Sequence, residues 1–247
     1  MDLDLKGRVA VVTGAATGIG EAIARTLARE GCTVCIADRD ADGARKAVTA
    51  VGGHAVTLDV GDANGVAKAF EGIVETHKRL DILVNAAGLL STGKIADLPT
   101  SEWDRVAQVN LSGLLYCVKA AIPAMQAQRH GRIINIASIS AMRGGGSLGN
   151  VLYGTTKAGV VALTMGLARE LGPFGITANA IAPAVVETAM TQKSLTDEAR
   201  ARITARIPLG RLASTDDVAD LAAFLASDRA SFISGTTIPV DGAILTT

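Results

Sequence analysis

Cysteine is scarce: Cys32, Cys35 and Cys117 are the only three in 247 residues, too few for a disulfide framework. Cys32 and Cys35 form a C-x-x-C pair, but Cys35 falls inside the apolar run 33–37, which reads as a buried strand. Buried thiols behave as small apolar side chains, and all three are expected to be structural. Neither sign of charge is in excess, with Lys+Arg and Asp+Glu at 24 each. Without a net field to attract polyanions, nucleic-acid or acidic-membrane partners gain no support. Apolar runs fall short of the about 20 residues that span a bilayer. The opening Met1-Asp2-Leu3-Asp4-Leu5-Lys6 has acidic residues where a signal peptide has an apolar stretch, so a soluble cytoplasmic protein is expected. His54, His77 and His130 lack metal-ligand spacing and no carboxylate joins them, so no metal site is expected.

What the chain does have is core material: 49% of residues are hydrophobic and 19% charged. Short β-branched runs at 9–13, 33–37, 55–58, 82–85, 132–137, 177–181 and 237–240 are nearly continuous in apolar residues, as in strands covered on both faces. Between them lie helical patterns at 19–29, 41–51, 63–78, 101–128, 152–171 and 215–226. In the first of these, Ile19, Ile23 and Leu27 repeat along one face, and Gly31 follows as a stop. Pro123 is expected to kink or shorten the 101–128 helix. Strand–helix alternation predicts an α/β fold, a three-layer doubly wound parallel sheet with right-handed crossovers. No linker, charge block or repeat divides 1–247, so one domain is expected. The stretch 184–212 has the weakest rhythm and is the candidate lid.

Directly after the first strand comes Thr13-Gly14-Ala15-Ala16-Thr17-Gly18-Ile19-Gly20, opening the first helix. Glycines there permit a sharp turn and close approach of a pyrophosphate, while the helix N-terminus presents unpaired N–H groups to its charge. The spacing is G-x-x-x-G-x-G, not the common G-x-G-x-x-G. Asp38 ends the second strand, 18 residues past Gly20, where a carboxylate accepts hydrogen bonds from an adenosine ribose. It would also repel a 2′-phosphate, which favours NAD over NADP. Arg39 pulls the other way, since a guanidinium pairs with phosphate.

Tyr153 and Lys157 are four apart in a helical stretch and so share a face. A free phenol titrates near ~10 and is a poor base at neutral pH, but a nearby ammonium stabilises the phenolate. Ser138 stands at a strand's carboxyl end, and Asn85-Ala86-Ala87-Gly88 closes the fourth strand with small residues. Asn110, in the middle of a helical pattern, is out of place unless something there needs it.

This ordered set resembles the short-chain dehydrogenase/reductase family, in its single-domain branch, nearly end to end. The resemblance rests on the turn at 13–20, Asp59, Asn-Ala-Ala-Gly at 85–88, Asn110, Ser138, Tyr-x-x-x-Lys at 153–157, Ile181-Ala182-Pro183 with Thr188, and Val240-Asp241-Gly242. It implies a Rossmann-type NAD(P)-binding domain that interconverts a secondary alcohol and a ketone. Tyr153 would be the acid/base, and Lys157 would lower its pKa and bind the nicotinamide ribose. Ser138 would orient the substrate, and Asn110 would support a water linking Lys157 to solvent. Gly14, Thr17, Gly18, Ile19, Gly20, Asp38 and Arg39 would hold the cofactor at one end. Asp59 and Val60 would contact adenine; Asn85, Ala86 and Gly88 would line the cleft; Pro183, Val186 and Thr188 would meet the nicotinamide side. A homotetramer is also implied, permitted by small residues such as Ala120, Ala121, Ala158 and Gly159.

Three departures stand out. Ala184 and Ala243 replace glycines of the family pattern, and the Ser138-to-Tyr153 interval of 15 residues, with Gly144-Gly145-Gly146, is long. Ser140 is a rival for the serine role. Leu89, Leu90, Met142, Leu148, Leu152, Val185, Val186 and Met190 make the expected substrate pocket apolar. The main expectation is an NAD(H)-dependent alcohol dehydrogenase or carbonyl reductase acting on a small molecule. Two alternatives stand beside it: an NADPH-dependent 3-oxoacyl-thioester reductase, and an NAD-binding sensor or scaffold without chemistry.

Overall fold

In the computed structural model, residues 2–192 and 194–246 are described; Met1, Thr247 and Lys193 of the 184–212 segment lie outside them. Seven strands form one parallel sheet: β1 (Val9–Thr13), β2 (Thr33–Asp38), β3 (His54–Thr57), β4 (Ile82–Asn85), β5 (Gly131–Ile136), β6 (Ile176–Pro183) and β7 (Thr237–Val240), in the order β3-β2-β1-β4-β5-β6-β7. The chain winds outward from β1 to β3, returns, and winds the other way from β4. The doubly wound expectation therefore holds, with strand bounds off by a residue or two.

Apolar residues on both faces of the strands explain the two helical layers. Along β1, Val9 and Val11 pack on one side while Ala10 and Val12 pack on the other. The first side meets α3 (Ala63–His77), α5 (Leu114–Gln128) and α7 (Val151–Leu171), through residues such as Phe70, Met125 and Val160. The second meets α1 (Gly18–Arg29), α2 (Ala41–Val51) and α10 (Thr215–Ala226), through Ile23, Ala44 and Val218. Each fully buried Ile, Leu or Phe is worth about 1.5–3 kcal/mol of transfer energy, so both layers are strongly fixed to the sheet. With its following turn, α7 (Val151–Phe174) is long and apolar enough to cross a membrane by composition, contrary to the expectation that no stretch qualifies. It packs one face on β6, and that face buries the polar Thr156, Lys157 and Thr164.

The single helix expected over 101–128 is three pieces: α4 (Thr100–Ala107), a π-helical turn (Gln108–Gly113) and α5. Pro123 does not shorten α5, which runs through it to Gln128. All three cysteines are buried, and loss of solvation pushes their thiols up, Cys32 and Cys117 to about 12 and Cys35 to about 11. Protonated thiols of this kind do no redox chemistry at neutral pH.

Candidate active site

The carboxyl ends of β1, β4, β5 and β6 open into one cavity of about 340 Å³. It lies where the winding reverses between β1 and β4, and there the diverging loops leave room for a ligand.

At one end of the cavity the glycine turn is a tight cradle. Gly14 takes a left-handed φ of 65°, and a Cβ there would lie 2.6 Å from the Ala87 Cα. A Cβ at Gly20 would lie 2.2 Å from the Gly14 carbonyl oxygen, so the turn closes only without side chains. Thr17, the N-cap of α1, makes no side-chain capping bond. The first N–H groups of α1 are left to a ligand, an arrangement suited to an anion. At the end of β2 the Asp38 carboxylate accepts from the Ala16 and Asp40 backbone N–H groups, each at 3.0 Å. It lines the cavity beside the exposed Arg39. Cradle, open helix end and carboxylate together fit the pyrophosphate and ribose of a dinucleotide.

Every other sequence candidate for cofactor contact also lines the cavity, with the exception of Asn85. Asn85 turns inward: it is buried, and its Nδ2 donates to Asn135 Oδ1 at 2.9 Å. The reason is register. Asn85 and Asn135 are directly paired across β4 and β5, and Asn135 passes the chain on to Thr164 of α7 at 2.9 Å. Its small neighbours Ala86, Ala87 and Gly88 face the cavity in its place. Sequence reasoning did not single out Leu58, Val109, Ile136, Ala137 or, at the far end of the chain, Ile244, all of which line the cavity.

Ser138, Tyr153 and Lys157 meet at the other end of the cavity. The N-cap Asn150 fixes the start of α7, accepting from the Tyr153 N–H at 3.1 Å, and thereby sets where Tyr153 points. The Tyr153 and Ser138 hydroxyls share a hydrogen bond, and the Ser138 Oγ also accepts from the Ser140 N–H at 3.1 Å. Ser140 thus supports Ser138 through its backbone. The long loop before α7 lies against the tyrosine: a Cβ at Gly149 would be 2.4 Å from its Cδ1. Of the apolar residues expected here, Leu89, Leu90, Leu148, Val185, Val186 and Met190 line the cavity. Met142, on the four-residue helix α6 (Ser140–Arg143), faces solvent instead, and Leu152 is turned off the cavity by its place beside Tyr153 on α7.

Burial dominates the electrostatics of this pair. Burial raises the Tyr153 phenol above its ordinary value, and the Ser138 hydrogen bond opposes this only in part. Burial lowers Lys157 to about 8. The Lys157 Nζ lies 5.7 Å from the centre of the Tyr153 ring and donates to the Ile136 carbonyl at 2.7 Å. In the protein alone, then, desolvation is the largest influence on the tyrosine. A phenol held protonated is equipped to give a proton to a carbonyl oxygen.

Asn110 sits outside the cavity, in the π-helical turn. Its Oδ1 accepts from the Leu89 N–H at 2.8 Å, and its Nδ2 donates to the Leu89 carbonyl at 3.0 Å and to Thr156 Oγ1 at 3.0 Å. The widened turn admits this amide, which ties the cavity wall after β4 to α7 next to Lys157.

Set against known proteins, residues 14–243 match the family model described as enoyl-(acyl carrier protein) reductase. The chain belongs to the short-chain dehydrogenase/reductase family. This dehydrogenase/reductase is similar to the 3-oxoacyl-[acyl-carrier-protein] reductase of Escherichia coli, at 39% identity over 242 residues, 97% of this chain and 98% of the relative. Among solved structures it resembles a protein from Beutenbergia cavernae assigned as an NAD(P)-dependent gluconate 5-dehydrogenase, with bound NADP at low occupancy (39% identity, TM-score 0.92, both chains covered in full). It also resembles the 3-ketoacyl-(acyl-carrier-protein) reductase of Brucella melitensis complexed with NADH (34% identity, TM-score 0.91, 98% of this chain and 99% of that one). An oxidoreductase using a nicotinamide cofactor follows from this membership.

Proposed function

We propose that this dehydrogenase/reductase reduces the ketone of a 3-oxoacyl thioester to the 3-hydroxyacyl product. The observation that carries the reading is the placing of Tyr153 and Ser138 together at the apolar end of the cavity, where a ketone oxygen can meet both hydroxyls. The thioester class is supported by the end-to-end similarity to 3-oxoacyl-[acyl-carrier-protein] reductases. It takes the place of the general alcohol dehydrogenase suggested by the motifs alone.

When bound, the reduced nicotinamide supplies the hydride. The chain's own residues supply position and charge. The cradle at Gly14 and Gly20 and the open end of α1 hold the pyrophosphate, and Asp38 holds the adenosine ribose. Ser138 donates to the ketone oxygen, Tyr153 gives it a proton, and Lys157 holds the nicotinamide ribose and offsets charge on the phenolate left behind. The segment 184–212 acts as the lid that excludes water.

For the cofactor we propose NADH over NADPH. Solved relatives carry one or the other, and the carboxylate of Asp38 disfavours a 2′-phosphate next to it. Asp38→Asn keeps an acceptor for one of the two backbone N–H groups and removes the charge. It is expected to narrow the preference for NADH in kcat/KM by about tenfold or more, since bonds to charged groups are worth about 1.5–3 kcal/mol. A wild-type enzyme that prefers NADPH would overturn this use of Asp38 and leave the reductase reading intact.

The deciding experiment follows NADH consumption with 3-oxobutanoyl and longer 3-oxoacyl N-acetylcysteamine thioesters, beside secondary alcohols with NAD+. Turnover of thioesters well above that of alcohols is expected. Asp38 also favours a second reading, oxidation of a secondary alcohol with NAD+, and the reverse preference would select it. Cofactor binding without turnover of any substrate would select the sensor or scaffold.

A further inference from the structure

The chain's last turn reaches back into the cavity. After β7, the Asp241 carboxylate accepts from the Ala243 N–H and the Leu245 N–H, each at 3.0 Å. These bonds hold Ala243 at a φ of 71°, in the left-handed region that residues with a Cβ rarely adopt. The same turn is pressed onto the 184–212 segment: the Leu209 N–H donates to the Gly242 carbonyl at 3.4 Å, and a Cβ at Gly242 would lie 2.6 Å from Ile207 Cγ2. Turn and segment are therefore fitted together at this point.

This fit fixes the position of Ile244. It is 1% exposed, lines the cavity, and belongs to an apolar cluster with Ile139, Leu148 and Val185, which also line it. Ile139 directly follows Ser138, and its N–H donates to the Pro183 carbonyl at 3.1 Å. No residue of the glycine cradle is in the cluster, so Ile244 stands at the ketone end. Behind it, out of the cavity, pack Ile207 and the Ile203 of α9 (Asp197–Thr204).

We infer that Ile244 is a specificity-determining residue that limits the size of the substituent carried by the ketone. The inference rests on the reading of Ser138 and Tyr153 as the ketone site. An apolar wall that differs by a few methylenes changes selectivity by about 10–200-fold.

The test is the ratio of kcat/KM for 3-oxodecanoyl to that for 3-oxobutanoyl N-acetylcysteamine thioester. Ile244→Ala is expected to raise it about tenfold or more, Ile244→Val by less, and Ile244→Phe to lower it, all with unchanged NADH affinity. Ile207→Ala removes a side chain of the same cluster outside the cavity and is expected to leave the ratio within about twofold of wild type. An unchanged ratio in Ile244→Ala and Ile244→Phe overturns the inference, as does an equal shift in Ile207→Ala. Should Ile244→Ala not fold, the Val and Phe variants decide by the same criterion. If wild type reduces no thioester, the thioester reading falls, and the same ratio is read on 2-alkanones of matching length.

Discussion

Replacing Tyr153 by phenylalanine is expected to lower kcat by about 10²- to 10⁴-fold, the usual worth of a positioned acid or base. Cofactor affinity should stay close to wild type. The substitution removes one oxygen and nothing else. The ring still packs against Gly149, and the Asn150 cap on the Tyr153 N–H is untouched. Ser138 loses its partner hydroxyl but keeps the bond from the Ser140 N–H, so its side chain stays in place. Steady-state kinetics with NADH fluorescence titration and a melting curve separate the two effects. Near-normal turnover in a folded variant would show that the proton comes from elsewhere.

Lys157→Met should act in two opposite directions, losing activity while gaining stability. The buried ammonium is held at about 8, below its ordinary 10.5. Between those values the unfolded chain binds more protons than the folded one, so stability rises with pH across roughly 8 to 10.5. Below about 8 the folded protein carries the full cost of the buried charge, on the order of 3 kcal/mol for a shift of this size. Methionine keeps the length of the stem and removes the charge. Losing the bond to the Ile136 carbonyl takes back about 1 kcal/mol, which leaves a net gain on the order of 2 kcal/mol at neutral pH. Activity should fall by about 10²-fold or more, because in the proposed mechanism the ammonium offsets a phenolate during proton transfer. In wild type, kcat/KM for NADH, which reports the free enzyme, should decline as pH rises through about 8. The variant should lose that limb. A variant that melts lower and keeps the pH limb would mean that Lys157 is neither the strained charge nor the titrating group.

Local chemistry was the most legible part of the sequence. A glycine turn between strand and helix, an acid at the next strand end and a Tyr/Lys pair one helical turn apart all depend on neighbours close in the chain, and each was found in the cavity. Apolar strands likewise announced a covered parallel sheet. What stayed hidden depends on partners far away. Asn85 reads as cavity-lining until β5 sets Asn135 against it, 50 residues on. The 101–128 pattern reads as one helix until the Asn110 amide, reaching for Leu89 and Thr156, opens a π-helical turn. Ile244 gives no signal at all, since nothing in its own neighbourhood says that the last turn returns to the ketone end. Helical spacing measures proximity to Lys157 and says nothing about the burial that raises the phenol in the protein alone.

The contact of Gly14 with Ala87 has a kinetic side as well. These residues belong to opposite halves of the winding, and β1 meets β4 only after a loop of about 70 residues has closed, the kind of non-local pairing that slows folding. The nucleotide cradle is thus incomplete until both halves of the sheet have docked. A chain still emerging from the ribosome with only its first three strands made has the glycine turn but no wall to set it against, so it has nothing to recruit the dinucleotide with. A dinucleotide that binds the finished sheet stabilises it by mass action.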